Sequence, residues 1–483
     1  MTSYNVAGAV EITRHNRISG WVDAAVGNLA RTLDVLINGT RYATFYLDSP
    51  AIDGGQPAQN LIRFNLPLPE IGNSQLGERP LVEVRFTETG QVLKNSPRYA
   101  TPNTRRMRAL VLIPAGARYD HDKVRLHNWP VSRIIDTYSN IGDLMVYDST
   151  LKILDFETVE VANIVDFSAA DVDRYNREFD FAFLRGSNFI HEHMRWERAG
   201  ELIEKLRIPV FAIGVGAQAE ARREIRLPQE GLRVWAAIAD HCASIGVRGA
   251  FSAETLAQNG IRNVEVVGCP SIFRARRRDL QLRLKPAYDV RKIAFSLRRE
   301  TGAGYARNVA SYLKIQKDFM LRLDREAEMT VTLHGECEEK AFFFRDPERE
   351  AKAVATLRAS QWLTPADEAQ ILDIYRSRLF LNTSVEQYDE FIGKMDLAIG
   401  YRVHGVLPAL ANGTPGILVD YDERSAELAR TLQIPLLPEQ ALVERGWRDI
   451  YTPDAFGGFL KHFPACYDKM VEFLDLNGVP HRL

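Results

Sequence analysis

The chain has 483 residues, of which 46% are hydrophobic and 26% are charged. This balance is typical of a soluble globular protein and excludes a disordered chain, and the length exceeds one ordinary hydrophobic core, so we expect two or three domains. The formal net charge is −2, from 61 basic and 63 acidic residues, which excludes a general electrostatic attraction to nucleic acid or to an anionic membrane.

The four cysteines, Cys242, Cys269, Cys337 and Cys466, are too far apart in sequence for a zinc-finger pattern. We expect them to be buried thiols in a reducing compartment. The N-terminal stretch has neither a basic start nor an apolar run, so it predicts no secretory signal. No segment approaches the roughly 20 apolar residues of a membrane span. The expected location is the cytoplasm.

Residues 1–104 have the pattern of a small, β-sandwich-like accessory domain. Apolar and polar residues alternate over 82–86, as in a strand with one face in water. Asn38-Gly39 lies between two β-rich runs and predicts a tight hairpin, and Glu88-Thr89-Gly90 predicts a second one. The stretch 94–106 is then predicted to be a linker.

From about residue 107, short apolar runs alternate with helix-like segments. This alternation is typical of a parallel sheet with helices on both faces. The charged, proline-containing stretch 275–289 separates two such series, which predicts two Rossmann-like domains, 105–280 and 281–483, facing a cleft in a GT-B-like arrangement. Ligands in such folds bind beyond the C-terminal ends of the strands, so functional side chains are expected at strand-to-helix turns.

Three arginines follow apolar runs at such turns. Arg402 and His404 open a helix, where free N–H groups, a bidentate guanidinium and an imidazole together suit an anionic substrate. Arg248 and Arg298 occupy corresponding positions after two other runs and are candidates for binding anions. The structural alternative for Arg248 and for Arg402 is an ion pair, buried in the case of Arg248, and for His404 it is a cap of the turn.

Small and polar residues mark a predicted helix start and two strand ends of the first series. Asn140 and Asp143 open a predicted helix and are suited to binding sugar hydroxyls, with Asp143 as a base, although an acidic residue there also stabilises the helix dipole. Ser187 and Gly216 lie where a ligand can approach backbone N–H groups. The GxGxxG fingerprint of dinucleotide binding is not present in the sequence.

Two further motifs complete the candidates. His334 and Glu336 follow an apolar run of the second series and are candidates for lining the cleft. His191 and His193 have no third ligand at a suitable spacing, so no metal site is predicted.

Taken in order, segments from about 137 to about 430 resemble the polysaccharide pyruvyl transferase family. YSNIGDLMVYDS resembles the family's Asn-x-Gly-Asp helix start, and IGVGAQ resembles its glycine-rich strand end. SIGVRGAFSAETLAQNGIRNVEVVGCPSIF resembles its Val-Arg-Asp-x-x-Ser stretch, and IAFSLR and DLAIGYRVHGVLPALANGTPGILVDYD resemble the late blocks with Arg-x-His. The chain departs from the family at Arg185-Gly186-Ser187, where a glycine-rich triplet is usual, and at Gly249, where an aspartate is usual.

The resemblance implies transfer of the enolpyruvyl unit of phosphoenolpyruvate to two hydroxyls of a sugar, giving a cyclic ketal and phosphate. It implies that Arg248 and Arg402 hold the donor, that His404 protonates the methylene carbon and that Asp143 orients or deprotonates the acceptor. The reaction requires no metal and no cofactor. The expected partners are phosphoenolpyruvate and a glycan or lipid-linked sugar, with assembly at the inner face of the membrane but no transmembrane segment, and no nucleic acid.

Two other functions fit parts of the sequence. A GT-B type glycosyltransferase that uses a nucleotide sugar would have the same architecture and would also place arginines on a diphosphate, so the fold does not separate the two donors. The resemblance to the family at 402–404 and 140–143 favours pyruvyl transfer. The second alternative is a non-catalytic protein that binds glycans through its β-rich domain. The presence of the candidate arginines together with His404 disfavours it.

Overall fold

The computed structural model of the chain has an N-terminal region of antiparallel strands and a larger α/β region. It describes residues 8–14, 17–23, 32–47, 61–69, 79–100, 107–116, 118–120, 123–125, 129–299 and 308–483. Within these residues, the buried hydrophobic side chains form two separate clusters, a small one in the antiparallel region and a large one that runs through the α/β region.

The described strands of the N-terminal region form two antiparallel sheets. The strands are β1 (Gly8–Arg14), β2 (Arg17–Asp23), β3 (Thr32–Ile37), β4 (Thr40–Tyr46), β5 (Leu61–Pro67), β6 (Leu81–Phe86) and β7 (Arg98–Tyr99). Their orders are β1-β2-β5 and β4-β3-β6-β7. Side chains from both sheets, such as Val10 and Val84, share the smaller hydrophobic cluster.

The predicted hairpin at Asn38-Gly39 is confirmed. β3 and β4 pair with Ile37 opposite Thr40, and the two turn residues have φ of 49° and 81°. Positive φ at both positions is the turn that suits the right-handed twist of the flanking strands. The chain also turns at the second predicted site, where Gly90 has φ of 67°.

The first half of the predicted linker is instead part of the N-terminal region. Arg98 of β7 is buried and donates hydrogen bonds to the carbonyls of Glu11 and Asn95 at 2.7 and 2.8 Å. The second half of that stretch, 101–106, lies outside the described residues. The linker prediction was wrong for this half because the polarity of Arg98 indicated a solvent-exposed segment, whereas its side chain is buried.

The first α/β unit carries a parallel sheet of order β11-β8-β12-β13 and a further parallel pair, β14-β15. Its elements are β8 (Arg108–Val111), β9 (Arg118–Asp120), β10 (Lys123–Arg125), α1 (Val131–Asp136), α2 (Ile141–Ile153), β11 (Thr158–Val161), α3 (Ala169–Glu178), β12 (Phe181–Leu184), α4 (Ala199–Lys205), β13 (Val210–Ala212), α5 (Gln229–His241), β14 (Ile245–Val247), α6 (Ala250–Gln258), β15 (Val264–Val266) and α7 (Pro270–Phe273). A bridge between Val215 and Val247 connects the pair to the sheet.

The second α/β unit carries a parallel sheet of order β18-β17-β16-β19-β20-β21. Its elements are β16 (Lys292–Ser296), α8 (Val309–Glu326), β17 (Glu328–Thr332), α9 (Cys337–Phe343), α10 (Pro347–Ala359), α11 (Glu368–Ser377), β18 (Leu379–Phe380), α12 (Val385–Ile392), β19 (Leu397–Gly400), α13 (Val403–Ala411), β20 (Gly416–Asp420), α14 (Glu423–Leu432), β21 (Leu436–Pro438), α15 (Glu439–Glu444), α16 (Trp447–Ile450) and α17 (Gly457–Leu476). The predicted α/β class with parallel sheets is confirmed. In the parts of the chain that the structure describes, none of the helices combines the length and the hydropathy of a membrane span.

The last residues of the chain return to the first α/β unit. The side chain of Asn477, just after α17, accepts hydrogen bonds from the backbone N–H groups of Ala243 and Ser244 at 3.1 and 3.3 Å. His481 then forms a β-bridge with Leu154 at the end of α2. The sequence pattern did not predict this crossing, and the domain division at residue 280 stays a prediction.

Candidate active site

A small cavity lies where the two α/β units meet, beyond the C-terminal ends of their strands. The first unit lines it from the start of α2 and from the turns after β12, β13, β14 and β15, and the second unit lines it from α13 and α14. Its volume is about 30 Å³, enough for about two water molecules. The lining side chains must therefore move for a larger ligand to enter.

Helix α2 begins at the cavity with a fixed carboxylate. Asn140 caps the helix: its Oδ1 accepts from the N–H of Gly142 at 3.1 Å, and its Nδ2 donates to Oδ2 of Asp143 at 3.2 Å. Oδ1 of Asp143 accepts from Oγ of Ser187 at 2.9 Å and from Nη1 of Arg185 at 3.3 Å. Three donors thus orient a carboxylate that remains partly exposed at the cavity.

His404 reaches the cavity from the start of α13. Its Nε2 lies 3.5 Å from Sγ of Cys269, and a Cβ added to Gly142 would lie 2.9 Å from its Nδ1. Burial, together with the positive charges of Arg424 and Arg248, holds the pKa of His404 well below its usual range. The imidazole is therefore neutral near neutral pH in the unliganded protein.

Cys269 provides a thiol beside this imidazole. Burial raises the pKa of Cys269, so its side chain stays a protonated thiol, and its Sγ lies 2.9 Å from Oγ of Ser271. The predicted burial is confirmed for Cys242 and Cys269, whereas Cys337 and Cys466 are partly exposed.

Arg248, which follows β14, is buried and lies over Gly216. A Cβ on Gly216 would lie 2.2 Å from Cζ of Arg248, so only a glycine leaves room for the guanidinium. Nε of Arg248 donates to Oε2 of Glu427 at 2.8 Å, and the other two nitrogens donate to the side chain of Asn188 and the carbonyl of Ala217. Because Glu427 belongs to α14, this buried ion pair joins the two units.

Glu427 occupies the space beside Gly249. Its carboxylate also accepts from the N–H and Oγ of Ser252 at 2.7 and 3.0 Å. A Cβ on Gly249 would lie 2.2 Å from Cγ of Glu427, although the backbone of Gly249 is extended, with φ of −174°, and open to any residue. The chain thus has glycine where the family usually has aspartate, and the carboxylate paired with Arg248 comes from the opposite unit.

Arg402 does not line the cavity. Its guanidinium donates to Glu336, to the hydroxyl of Tyr138 at 3.3 Å and to the carbonyl of Leu297 at 3.2 Å. Burial by itself would raise the pKa of Glu336, but Arg402 and the backbone N–H of His334 hold it at about 2. The pair is therefore ionised in the folded protein across the physiological range.

His334 lies beside this pair with neither ring nitrogen hydrogen-bonded, and it is buried. Burial and the charge of Arg402 lower the pKa of His334 to about 3, so it is a neutral imidazole. Its Nε2 would be 3.3 Å from a Cβ on Gly405, which places it against the start of α13. His334 therefore lies against the first residues of α13, and Glu336 accepts a hydrogen bond from Arg402, just before that helix.

Arg298 also lies outside the cavity lining. It donates to the hydroxyl of Tyr421, and its Nη1 is 3.5 Å from Oδ2 of Asp422. Burial and the nearby charges of Arg424 and Arg402 lower the pKa of Arg298 to about 10, which leaves it protonated.

Five of the eight predicted site residues line one cavity: Asn140, Asp143, Ser187, Arg248 and His404. Arg298, Arg402 and Gly216 do not, and Gly216 instead makes room for Arg248. Arg424 and Cys269 also line the cavity and were not predicted from the sequence. Arg424 follows β20 as the other arginines follow their strands, a signal that could have found it.

Among the described residues, no group of three or more His, Cys, Asp or Glu side chains could hold a metal ion.

The sequence model of one family, described as polysaccharide pyruvyl transferase, matches residues 140–423, which is more than half of the chain. The chain belongs to this family. The match begins at Asn140 and includes Asp143, Arg248 and His404, whereas Arg424 lies one residue beyond it. No curated protein sequence matches the chain.

Several solved structures are similar in fold to this polysaccharide pyruvyl transferase family member. S. aureus MnaA with UDP has 12% identity and a TM-score of 0.40, over 77% of this chain and 97% of that one. Methanocaldococcus jannaschii UDP-GlcNAc 2-epimerase, with UDP-GlcNAc and UDP, has 12% identity and a TM-score of 0.39, over 76% and 99%. The wall teichoic acid polymerase TagF has 10% identity and a TM-score of 0.30, over 77% and 85%. These similarities concern the fold alone.

Proposed function

We propose that the protein transfers the enolpyruvyl unit of phosphoenolpyruvate to two hydroxyls of a sugar in a polysaccharide or its precursor. The products are a pyruvate ketal and phosphate. The observation that carries this proposal is the meeting of His404, Asp143 and Arg248 at one cavity between the two units. Family membership supports polysaccharide pyruvyl transfer, and the donor and the ketal are part of the proposal.

The donor carries a carboxylate and a phosphate, so its site must supply positive charge. Arg248 lines the cavity, and its guanidinium is held in place by hydrogen bonds to Glu427 and to the carbonyl of Ala217. Charge-assisted hydrogen bonds from a fixed guanidinium both bind such groups and stabilise the departing phosphate.

The reaction needs one acid and one base. In the first step, a sugar hydroxyl adds to the central carbon of the donor, and the methylene carbon takes a proton and becomes a methyl group. In the second step, the other hydroxyl displaces phosphate from the same carbon, and its proton leaves with the phosphate. We assign His404 as the general acid that protonates the methylene carbon and Asp143 as the general base for the attacking hydroxyl. Each such group typically accelerates a reaction by about 10²- to 10⁴-fold.

The side chains around Asp143 support its assignment as the base. Its two oxygens accept from Ser187, Arg185 and Asn140, and these contacts fix the carboxylate without burying it completely. Arg185 stands in place of a residue of the usual glycine-rich triplet, so the acceptor side of the cavity is where this chain should differ most from its family.

The test is the release of phosphate from phosphoenolpyruvate across a panel of sugars and lipid-linked sugars. In D₂O, the ketal methyl group should carry solvent deuterium, because the methylene carbon takes its proton from an exchangeable acid. His404→Ala should abolish turnover and retain binding of phosphoenolpyruvate in calorimetry. His193→Ala, at an exposed histidine, is the matched control.

Two outcomes would contradict the proposal. A His404→Ala protein that turns over at the wild-type rate with the same label would show that the proton comes from elsewhere. Thermal stabilisation by UDP-sugars but not by phosphoenolpyruvate would show that the donor is a nucleotide sugar.

A further inference from the structure

The arginines at and around the cavity differ in how their charge is balanced. Three of them each have a carboxylate of their own: Arg248 pairs with Glu427, Arg185 with Asp143 and Arg402 with Glu336. In each pair, a guanidinium nitrogen donates a hydrogen bond to a carboxylate oxygen. A ligand that binds one of these arginines must therefore compete with an ion pair that is already formed.

Arg424 is different. Among the described residues, its Nη2 donates to the neutral hydroxyl of Tyr421 at 2.7 Å, and no hydrogen bond joins its guanidinium to a carboxylate. Its Nε is buried without a hydrogen-bond partner and lies 3.6 Å from Oδ2 of Asp422. That oxygen is equally close to Arg298, at 3.5 Å, and the other oxygen of Asp422 caps α14 by accepting from Ser425.

The position of Arg424 is also suited to a ligand. Its side chain is only 11% exposed, yet it lines the cavity opposite the first unit. After burial, its charge is the strongest of those that lower the pKa of His404, ahead of His334, Arg248 and Arg185. The guanidinium therefore lies within electrostatic reach of the proposed proton donor.

We infer that Arg424 is a donor-binding residue, which holds one anionic group of phosphoenolpyruvate together with Arg248. A buried cation without a hydrogen-bonded carboxylate gains most when an anion enters. Arg402, in contrast, already donates to three groups of the surrounding elements. This inference rests on the proposed function and adds a binding residue that lies outside the family match.

The first test is donor affinity. Phosphoenolpyruvate binding is measured by calorimetry for the wild type, Arg424→Gln, Arg424→Lys and Arg430→Gln. Arg430 lies on the same helix with a side chain that is 54% exposed, so its variant is the control for lost charge. Arg424→Gln should weaken binding about 10- to 100-fold, the effect of losing a charge-assisted hydrogen bond. Arg424→Lys keeps the positive charge but loses the planar guanidinium that can donate two hydrogen bonds to one anion, so it should weaken binding less than Arg424→Gln does.

The second test is the pH dependence of kcat/KM, which reports ionisations of the free enzyme. The rate should fall as pH rises through the pKa of His404. Because Arg424→Gln removes a charge that lowers this pKa, the fall should move to higher pH in that variant and stay in place in Arg430→Gln. A purely structural effect would lower the rate without moving the profile.

The outcomes separate this inference from the proposed function. Wild-type affinity or an unmoved pH profile in Arg424→Gln overturns the assignment of Arg424. If Arg424→Gln does not fold, wild-type affinity in Arg424→Lys has the same consequence. If the wild type binds no phosphoenolpyruvate, the proposed function fails, and inorganic phosphate becomes the probe. Equal phosphate affinity in the wild type and Arg424→Gln then overturns the anion site itself.

Discussion

The imidazole of His404 lies directly against Gly142, across the boundary between the two α/β units. A Cβ added to Gly142 would be 2.9 Å from Nδ1 of His404 and 3.0 Å from Oδ1 of Asn140. Gly142 is the second residue of α2, so its helical backbone conformation is open to any residue. A glycine is required there only because a larger side chain would collide with His404 and Asn140. The contact fixes the proposed acid against the helix that carries the proposed base, Asp143.

Gly142→Ala should therefore lower kcat about tenfold or more and change donor affinity little. The added methyl group would displace the ring of His404, and a misplacement of about 1 Å can cost about 100-fold in rate. Steady-state rates of phosphate release and calorimetric binding of phosphoenolpyruvate measure the two effects. Gly457→Ala is the control, because a Cβ there meets no atom within 4 Å. A wild-type kcat in Gly142→Ala would show that the contact has no role.

The sequence predicted features that depend on local patterns. Continuous apolar runs identified the buried strands of both parallel sheets, and Asn38-Gly39 identified a hairpin through its preference for positive φ. His404 was predicted at the cleft because ligands of open parallel sheets bind beyond the strand ends, whereas Asp143 was assigned from its place at a predicted helix start and from the family resemblance. The structure brings these two residues, far apart in sequence, to one cavity.

Features that depend on pairing between distant elements were not predictable. Arg248, Arg298, Arg402 and Arg424 all follow strands, so position along the chain does not show which of them lines the cavity. Their carboxylate partners come from elements distant in sequence, and a carboxylate carries no local signal of the arginine that it will meet. The return of α17 to the first unit is missed for the same reason, since an amphipathic helix does not show which surface covers it.

Glu427 and Gly249 should form a compensating pair in stability measurements. Glu427→Ala should cost about 3–5 kcal/mol in the free energy of unfolding, because Arg248 is left as a buried charge without its ion-pair partner. Gly249→Asp should also destabilise the protein, since its Cβ would collide with Glu427. The double variant should recover part of the loss, because the aspartate then fits beside Arg248. Urea unfolding of the four proteins measures this, and strictly additive losses would contradict it.

The Arg402–Glu336 pair should make stability depend on pH in the acidic range. The pKa of Glu336 is about 2 in the folded protein, against an ordinary value of 4.5. Its contribution is therefore present above pH 4.5 and is lost as pH falls toward 2, because the unfolded chain takes up the proton first. The difference in free energy of unfolding between the wild type and Glu336→Gln should shrink over this window. A difference that stays constant with pH would contradict the ionised pair.

Deletion of residues 1–104 should leave a folded α/β protein that still binds phosphoenolpyruvate. The N-terminal region has its own hydrophobic cluster, separate from the one in the α/β region. Its described contacts with the first α/β unit include polar ones, such as Arg79 donating to the carbonyl of Phe179 at 2.8 Å and Lys94 pairing with Asp240. Thermal melting and donor calorimetry test the truncated protein. Insolubility, or loss of donor binding, would show that the N-terminal region is not an independent module.

Binding of phosphoenolpyruvate should be accompanied by uptake of a proton on His404. In the free protein, burial and the charges of Arg424, Arg248 and Arg185 keep the pKa of His404 well below its usual range, so the ring is neutral at pH 7. The donor brings negative charge beside the ring, which favours the imidazolium and raises its pKa. A group whose pKa rises on binding takes up a proton between the two pKa values, so donor affinity should increase as pH falls through that window.

Calorimetry in buffers of different ionisation enthalpy measures this uptake directly, because the observed heat then changes with the buffer. The phosphate of the donor also titrates near neutral pH, so the wild type must be compared with His404→Ala, in which the contribution of the donor persists and that of the imidazole is lost. We expect the wild type to take up more protons than the variant, by up to about one per donor bound. Equal uptake in the two proteins would show that His404 stays neutral in the complex, and the proton that reaches the methylene carbon would then have to come from another group.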